Sequence, residues 1–105
     1  MGQSKMIRVF RQEVEIAGIS PYDDYFLGLA DGVEDAFAFL CDKYLPKNGV
    51  ALDIGANIGI TSAILSQVLT RGQVHAFEPA PTVFATLARN IESNDLNSAT
   101  TLCDA

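Results

Sequence analysis

Two acids, two glycines and an asparagine carry the chemistry this sequence can offer. Asp53 closes the apolar run Val50-Ala51-Leu52, and Glu78 closes a second run, Val74-His75-Ala76-Phe77. Between them lies the loop Gly55-Ala56-Asn57-Ile58-Gly59, followed by a helix-forming stretch. Glycine permits a tight turn and lets a ligand approach bare backbone. The free amides at the start of the next helix favour a negative group. Two carboxylates at neighbouring strand ends favour a positive one. The ligand that fits both demands is a nucleoside with cationic character and one carboxylate.

Spacing narrows the choice. A dinucleotide fingerprint wants glycines at 55, 57 and 60, and this chain has Gly55, Asn57 and Ile60 there. An S-adenosylmethionine loop prefers glycines at 55, 57 and 59. Gly55 and Gly59 meet that pattern, and Asn57 is the natural substitute because it tolerates positive φ. Charge agrees. The only basic residue between the two acids, Arg71, belongs to the far end of the helix. A pyrophosphate beside Asp53 would be repelled at close range. S-adenosylmethionine carries a sulfonium, an ammonium and one carboxylate, so its net charge is positive. The site therefore reads as Asp53, Gly55, Ala56, Asn57 and Gly59 around the first strand, with Glu78 accepting from the ribose hydroxyls. The competing reading makes Asp53 and Glu78 plain helix caps.

Other candidates are weaker. Asp104 follows a third strand and could accept from an adenine amino group, or could be a loop residue. His75, the single histidine, lies inside a strand and suits packing better than proton transfer. Cys41 and Cys103 are far apart in sequence, and their spacing supports neither a disulfide nor a metal site, so both read as reduced core thiols. No metal is expected. The acidic, aromatic stretch Tyr22-Asp23-Asp24-Tyr25-Phe26 reads as a connecting loop with rings tucked onto the core, with a lid as the alternative.

The elements that must position these residues follow from periodicity. Residues 6 to 19 alternate like one or two short strands, with Ile7, Val9, Val14 and Ile16 apolar. A helix is predicted over 31–45, capped by Asp31 and facing inward through Val33, Ala36, Phe37, Leu40 and Tyr44. Residues 50–54 read as a strand buried on both faces. A helix over 58–70, a strand over 74–78, a helix over 81–93 with Pro81 in its first turn, and a strand over 99–103 complete the series. In that last helix Phe84, Leu87, Ala88 and Ile91 are expected to face inward. The fold class is therefore α/β: a Rossmann-like parallel sheet in the order 3-2-1, one β-α-β-α-β half of a doubly wound fold. Residues 1–30 form a small N-terminal appendage of strands and loop, and residues 31–105 the nucleoside-binding part.

Composition sets the outer limits. The 105 residues suffice for one domain, and 49% hydrophobic with 19% charged residues marks a globular chain. A formal net charge of −6, with only seven Lys and Arg, argues against a nucleic-acid partner. No apolar stretch approaches the ~20 residues of a membrane span. The start, Met1-Gly2-Gln3-Ser4-Lys5-Met6, lacks the apolar run of a signal peptide and fails the myristoylation pattern at Met6. No membrane partner and a cytoplasmic location are expected.

The pairing of Asp53-Ile54-Gly55-Ala56-Asn57-Ile58-Gly59 with Phe77-Glu78-Pro79 resembles the FkbM family of S-adenosylmethionine-dependent methyltransferases. The resemblance runs from about residue 33 to the end. It implies methylation of a hydroxyl oxygen on a sugar, glycan or small natural product. It also implies that Asp53, Gly55, Asn57 and Gly59 line the methionine part and Glu78 the ribose, with Asp104 a looser match. A sheet of this kind has about seven strands, and three central ones can be counted here. The chain is accordingly expected to be a fragment of a longer protein, with the family's catalytic residues outside it. The alternative is that two copies complete each other as a homo-oligomer through the open sheet edge. Two rival functions stand beside this one: a non-catalytic binding or assembly module, and an NAD-binding oxidoreductase half-domain.

Overall fold

The computed structural model describes residues 3–105. The reading of a leader or lipid signal at Met1-Gly2 lies outside the described residues. The chain opens on an antiparallel hairpin of β1 (Ser4–Val9) and β2 (Gln12–Ala17), with Ile7 opposite Val14. Alternation buries Ile7, Val9, Val14 and Ile16, as their spacing predicts. Phe10 holds the turn at φ 55°, an uncommon value for a bulky residue. Burial holds it there: its ring meets Phe39 edge-on at 5.3 Å, and the Arg11 guanidinium lies 4.3 Å away.

The acidic, aromatic stretch forms one helical turn, α1 (Asp24–Leu27), rather than a loop. Asp23 Oδ1 accepts from the amides of Tyr25 and Phe26 and so caps it. Phe26 is buried as expected, whereas Tyr22 is 87% exposed.

The second helix, α2 (Asp35–Tyr44), departs from its prediction in start and face. Asp31 does not cap it. Its Oδ1 accepts from the Arg8 amide at 2.8 Å, and the helix starts instead after Glu34, at φ 56°. The buried residues are Ala38 and Cys41, while Phe37, Leu40 and Tyr44 point outward. The side of α2 that meets the hairpin also carries two acids. Asp35 and Asp42, two turns apart, bind Arg8 at 3.2 Å and Arg11 at 3.0 Å. Those pairs tie the helix surface to the hairpin. Of the predicted stripe Val33, ahead of the helix, packs on the core, while Phe37, Leu40 and Tyr44 face away from it.

A parallel sheet follows in the order β3 (Val50–Ile54), β4 (Gln73–Phe77), β5 (Thr100–Cys103). Its crossovers are α3 (Ile60–Val68) and α4 (Pro81–Ser93). Two apolar clusters lie on the covered face: Val74 with Ile60, Ala63 and Ile64 of α3, and Ala76 with Leu87 and Ile91 of α4, the latter forming the core beneath that helix. Phe84 packs against that core and Ala88 is half-buried, so the predicted inward face of α4 holds. Asn90, buried beside them, joins that face. His75 is a half-buried strand residue between Leu52 and Thr101. Cys41 and Cys103 are free thiols, the first buried and the second half-buried on β5.

The prediction that β3 is covered on both faces does not hold. Val50, Leu52 and Ile54 are 67%, 63% and 72% exposed. Register places them on one face with His75 and Phe77, away from the helices over Ala51 and Asp53. The sequence of a doubly covered strand is thus present, with one cover among the described residues. No helix of the described residues is long and apolar enough to cross a membrane.

Candidate functional site

The loop after β3 takes its shape from alternating backbone sign. Gly55, Asn57 and Gly59 have φ of 72°, 54° and 111°. Asn57 therefore occupies the left-handed region for which its residue type was singled out. Ala56 and Ile58, the residues between, are buried and plug the loop onto the core. The amides of Gly55 and Ala56 both donate to the Phe77 carbonyl, at 2.9 and 3.0 Å, which ties the loop to β4. A Cβ built on Gly55 would meet nothing within 4 Å, so the backbone there is bare on its outer side.

Glu78 stands just past β4 and is 9% exposed. Its amide donates to the Cys103 carbonyl at 3.0 Å, which anchors it to β5. Its carboxylate accepts from two amides: Asn57 at Oε1, 2.9 Å, and Ala80 at Oε2, 3.3 Å. Asn57 and Glu78, identified separately in the sequence, are thus in direct contact. Each oxygen retains acceptor capacity, because a carboxylate offers about four lone-pair positions.

Asp53 is placed differently. Its Oδ2 accepts from Thr61 Oγ1 and Ser62 Oγ, both at 2.7 Å, in the first turn of α3. This bond set draws the helix start to the strand end. It is not a helix cap, because Asp53 accepts from side-chain hydroxyls and no side chain caps the amides of α3. Asp104 is exposed beyond β5, at the same end of the strands, and makes no side-chain hydrogen bond among the described residues. Arg71 follows α3 at the opposite end of the strands, its amide on the Lys47 carbonyl at 2.9 Å. Among the described residues, none of the acids on the shelf formed by the strand ends makes a salt bridge. No enclosed pocket forms on it among the described residues, so it is an open ledge.

Sequence reasoning missed three residues here. Thr61 and Ser62 hold Asp53, and their hydroxyls at the first turn after the loop were the available signal. Asn90 is 2% exposed on α4, and its side chain donates to the carbonyls of Ala17 and Ile58 at 3.0 and 2.8 Å. A polar residue between Leu87 and Ile91, on an otherwise apolar face, was the clue.

The architecture is the first half of the class I methyltransferase fold, a three-stranded parallel sheet, preceded by an antiparallel hairpin. The chain superposes on TYW2 of M. jannaschii in complex with AdoMet with a TM-score of 0.64 and 21% identity, covering 99% of this chain and 45% of that one. P. horikoshii TYW2 in complex with MeSAdo gives 0.65 and 17%, covering 97% and 36%. A putative rRNA-methylase from Clostridium thermocellum gives 0.61 and 14%, covering 73% and 43%.

Sequence relatives narrow this further. Over 51 residues, 49% of this chain and 20% of the relative, it is 41% identical to methyltransferase sdnD of Sordaria araneosa. Over 52 residues, 50% and 21%, it is 33% identical to methyltransferase 1 of Beauveria bassiana (strain ARSEF 2860). The matched segments span about a fifth of the length of these curated relatives. No family model matches the chain.

Proposed function

We propose that this chain is the cofactor-binding part of an S-adenosylmethionine-dependent methyltransferase of the FkbM kind. The observation that carries the reading is the loop with positive φ at 55, 57 and 59, bonded directly to the Glu78 carboxylate. Its backbone is bare above Gly55, where a ligand can approach. S-adenosylmethionine, when bound, supplies a methyl group already activated by its sulfonium. The chain's own residues bind and orient. Glu78 has lone pairs left for two ribose hydroxyls. The first-turn amides of α3 favour the ligand's carboxylate. Asp53 and Glu78 together favour its positive charge. Asp104, exposed beyond β5, is read as the acceptor for an adenine amino group. Positioning supplies most of the acceleration in such a transfer.

The similarity to two fungal methyltransferases supports the enzyme class. In the whole protein the acceptor is a hydroxyl on a sugar, glycan or small natural product, in a cytoplasmic setting. Net charge −6 argues against a nucleic-acid acceptor. Calorimetry with S-adenosylhomocysteine and with NAD tests the reading. Binding of the homocysteine compound alone is the expected result. Binding of NAD alone would move the chain to the oxidoreductases, and binding of neither would leave the assembly-module reading standing.

A further inference from the structure

The loop is held from behind as well as from β4. Asn90 is buried on α4, and every polar atom of its side chain is engaged. Its Oδ1 accepts from the Ala17 amide at 2.8 Å. Its Nδ2 donates to the Ala17 carbonyl at 3.0 Å and to the Ile58 carbonyl at 2.8 Å. Ala17 ends β2 of the hairpin, and Ile58 is the plug of the loop between Asn57 and Gly59. One side chain therefore joins the hairpin to the backbone from which the ligand-facing residues project.

A neighbour supplies a natural control. Asn94, one turn further on, clamps the same hairpin by accepting from the Glu15 amide at 2.9 Å and donating to its carbonyl at 2.8 Å. Asn94 makes no hydrogen bond to the loop among the described residues; its remaining bond goes to the Asn90 carbonyl at 2.8 Å. The two asparagines thus make the same kind of two-point grip on β2, and only Asn90 carries it on to Ile58.

We propose that Asn90 is a positioning residue for the cofactor loop, and that through it the docked hairpin sets the geometry of the Asn57 amide that meets Glu78. The proposal rests on the cofactor-binding reading above. Without Asn90 the Ile58 carbonyl loses its buried donor, and an orphaned buried carbonyl seeks a new partner by rotating its peptide. That peptide includes the Gly59 amide, so the rotation shifts Gly59 directly and reaches Asn57 through Ile58; both Asn57 and Gly59 are held at positive φ.

The test compares Asn90→Ala and Asn94→Ala in the full chain, with two readouts. By calorimetry, S-adenosylhomocysteine is expected to bind Asn90→Ala at least ten-fold more weakly than the unsubstituted chain, and Asn94→Ala within two-fold of it. By amide hydrogen exchange without ligand, the Gly59 amide, bonded to the Ala56 carbonyl at 3.1 Å, should exchange faster only in Asn90→Ala. Equal affinities for the two variants together with equal Gly59 exchange would overturn the proposal. If the unsubstituted chain binds no S-adenosylhomocysteine, the cofactor reading fails, and the exchange comparison still decides the role of Asn90. Should Asn90→Ala not fold, Asn90→Ser, a milder truncation, enters the same comparison.

Discussion

The pairing of Glu78 with the Asn57 amide joins the two most specific residues of the site. Each hydrogen bond to a charged group is worth about 1.5–3 kcal/mol. Glu78→Gln removes the charge and turns an amide donor toward one of the two amides that Glu78 now accepts from. S-adenosylhomocysteine affinity should fall ten-fold or more, which titration calorimetry would read directly. Asn57 tests the backbone independently. Asn57→Gly should leave stability within a few tenths of a kcal/mol, because glycine takes φ 54° freely. A β-branched residue in the same conformation pays about 1–2 kcal/mol, so Asn57→Val should lower the denaturation midpoint in urea. At this scale the sequence was most readable: the left-handed residue and the acid at the strand end are both local features. The orientation of Asp53 was not readable. It depends on Thr61 and Ser62 folding back from α3, a contact that motif spacing does not encode.

Among the elements, α2 combines a small buried face, Ala38 and Cys41, with ion pairs to its surroundings. Asp42 accepts from Lys47 at 2.7 Å and pairs with Arg11 at 3.0 Å, joining the helix to its own exit and to the hairpin. Hydrogen bonds from Lys47 first and Arg11 second hold its carboxyl below the usual range. A lowered folded value means the stabilisation is complete above the ordinary carboxylate range and is lost as pH falls through the folded value. Acid unfolding followed by circular dichroism should show this, and Asp42→Asn should be less stable near neutrality while losing less on acidification. The limits of α4 were legible because Pro81 marks its start and Asn94-Asp95 its end. The face of α2 was not, because Phe37, Phe39 and Leu40 surround it with apolar side chains. With apolar residues all round, periodicity does not single out the face of Ala38 and Cys41 that is buried.

The whole molecule is compact yet one-sided. Its radius of gyration is 12.7 Å, against about 13 Å expected for a packed domain of this size. Hairpin, helices and one sheet face share a core, while Val50, Leu52 and Ile54 face solvent on the other side. The outer edge of β3 has no strand partner among the described residues. Exposed apolar surface and an unpaired edge invite association. Sedimentation velocity should therefore show concentration-dependent self-association, and Leu52→Lys should shift it toward monomer. The open edge was expected from the strand count, whereas the bare face of β3 was not. An apolar strand sequence reports that two covers are suited to it, not which are present.

The two thiols differ in a way that gives experimenters a handle. Burial pushes the Cys41 thiol up, so it should resist maleimide at neutral pH. Cys103 sits half-buried at the end of β5, and its carbonyl receives the Glu78 amide. A dye coupled there would stand one residue from Asp104, at the rim of the ledge. The chain thus carries its own attachment point for an optical titration, with mass spectrometry expected to find a single label on Cys103.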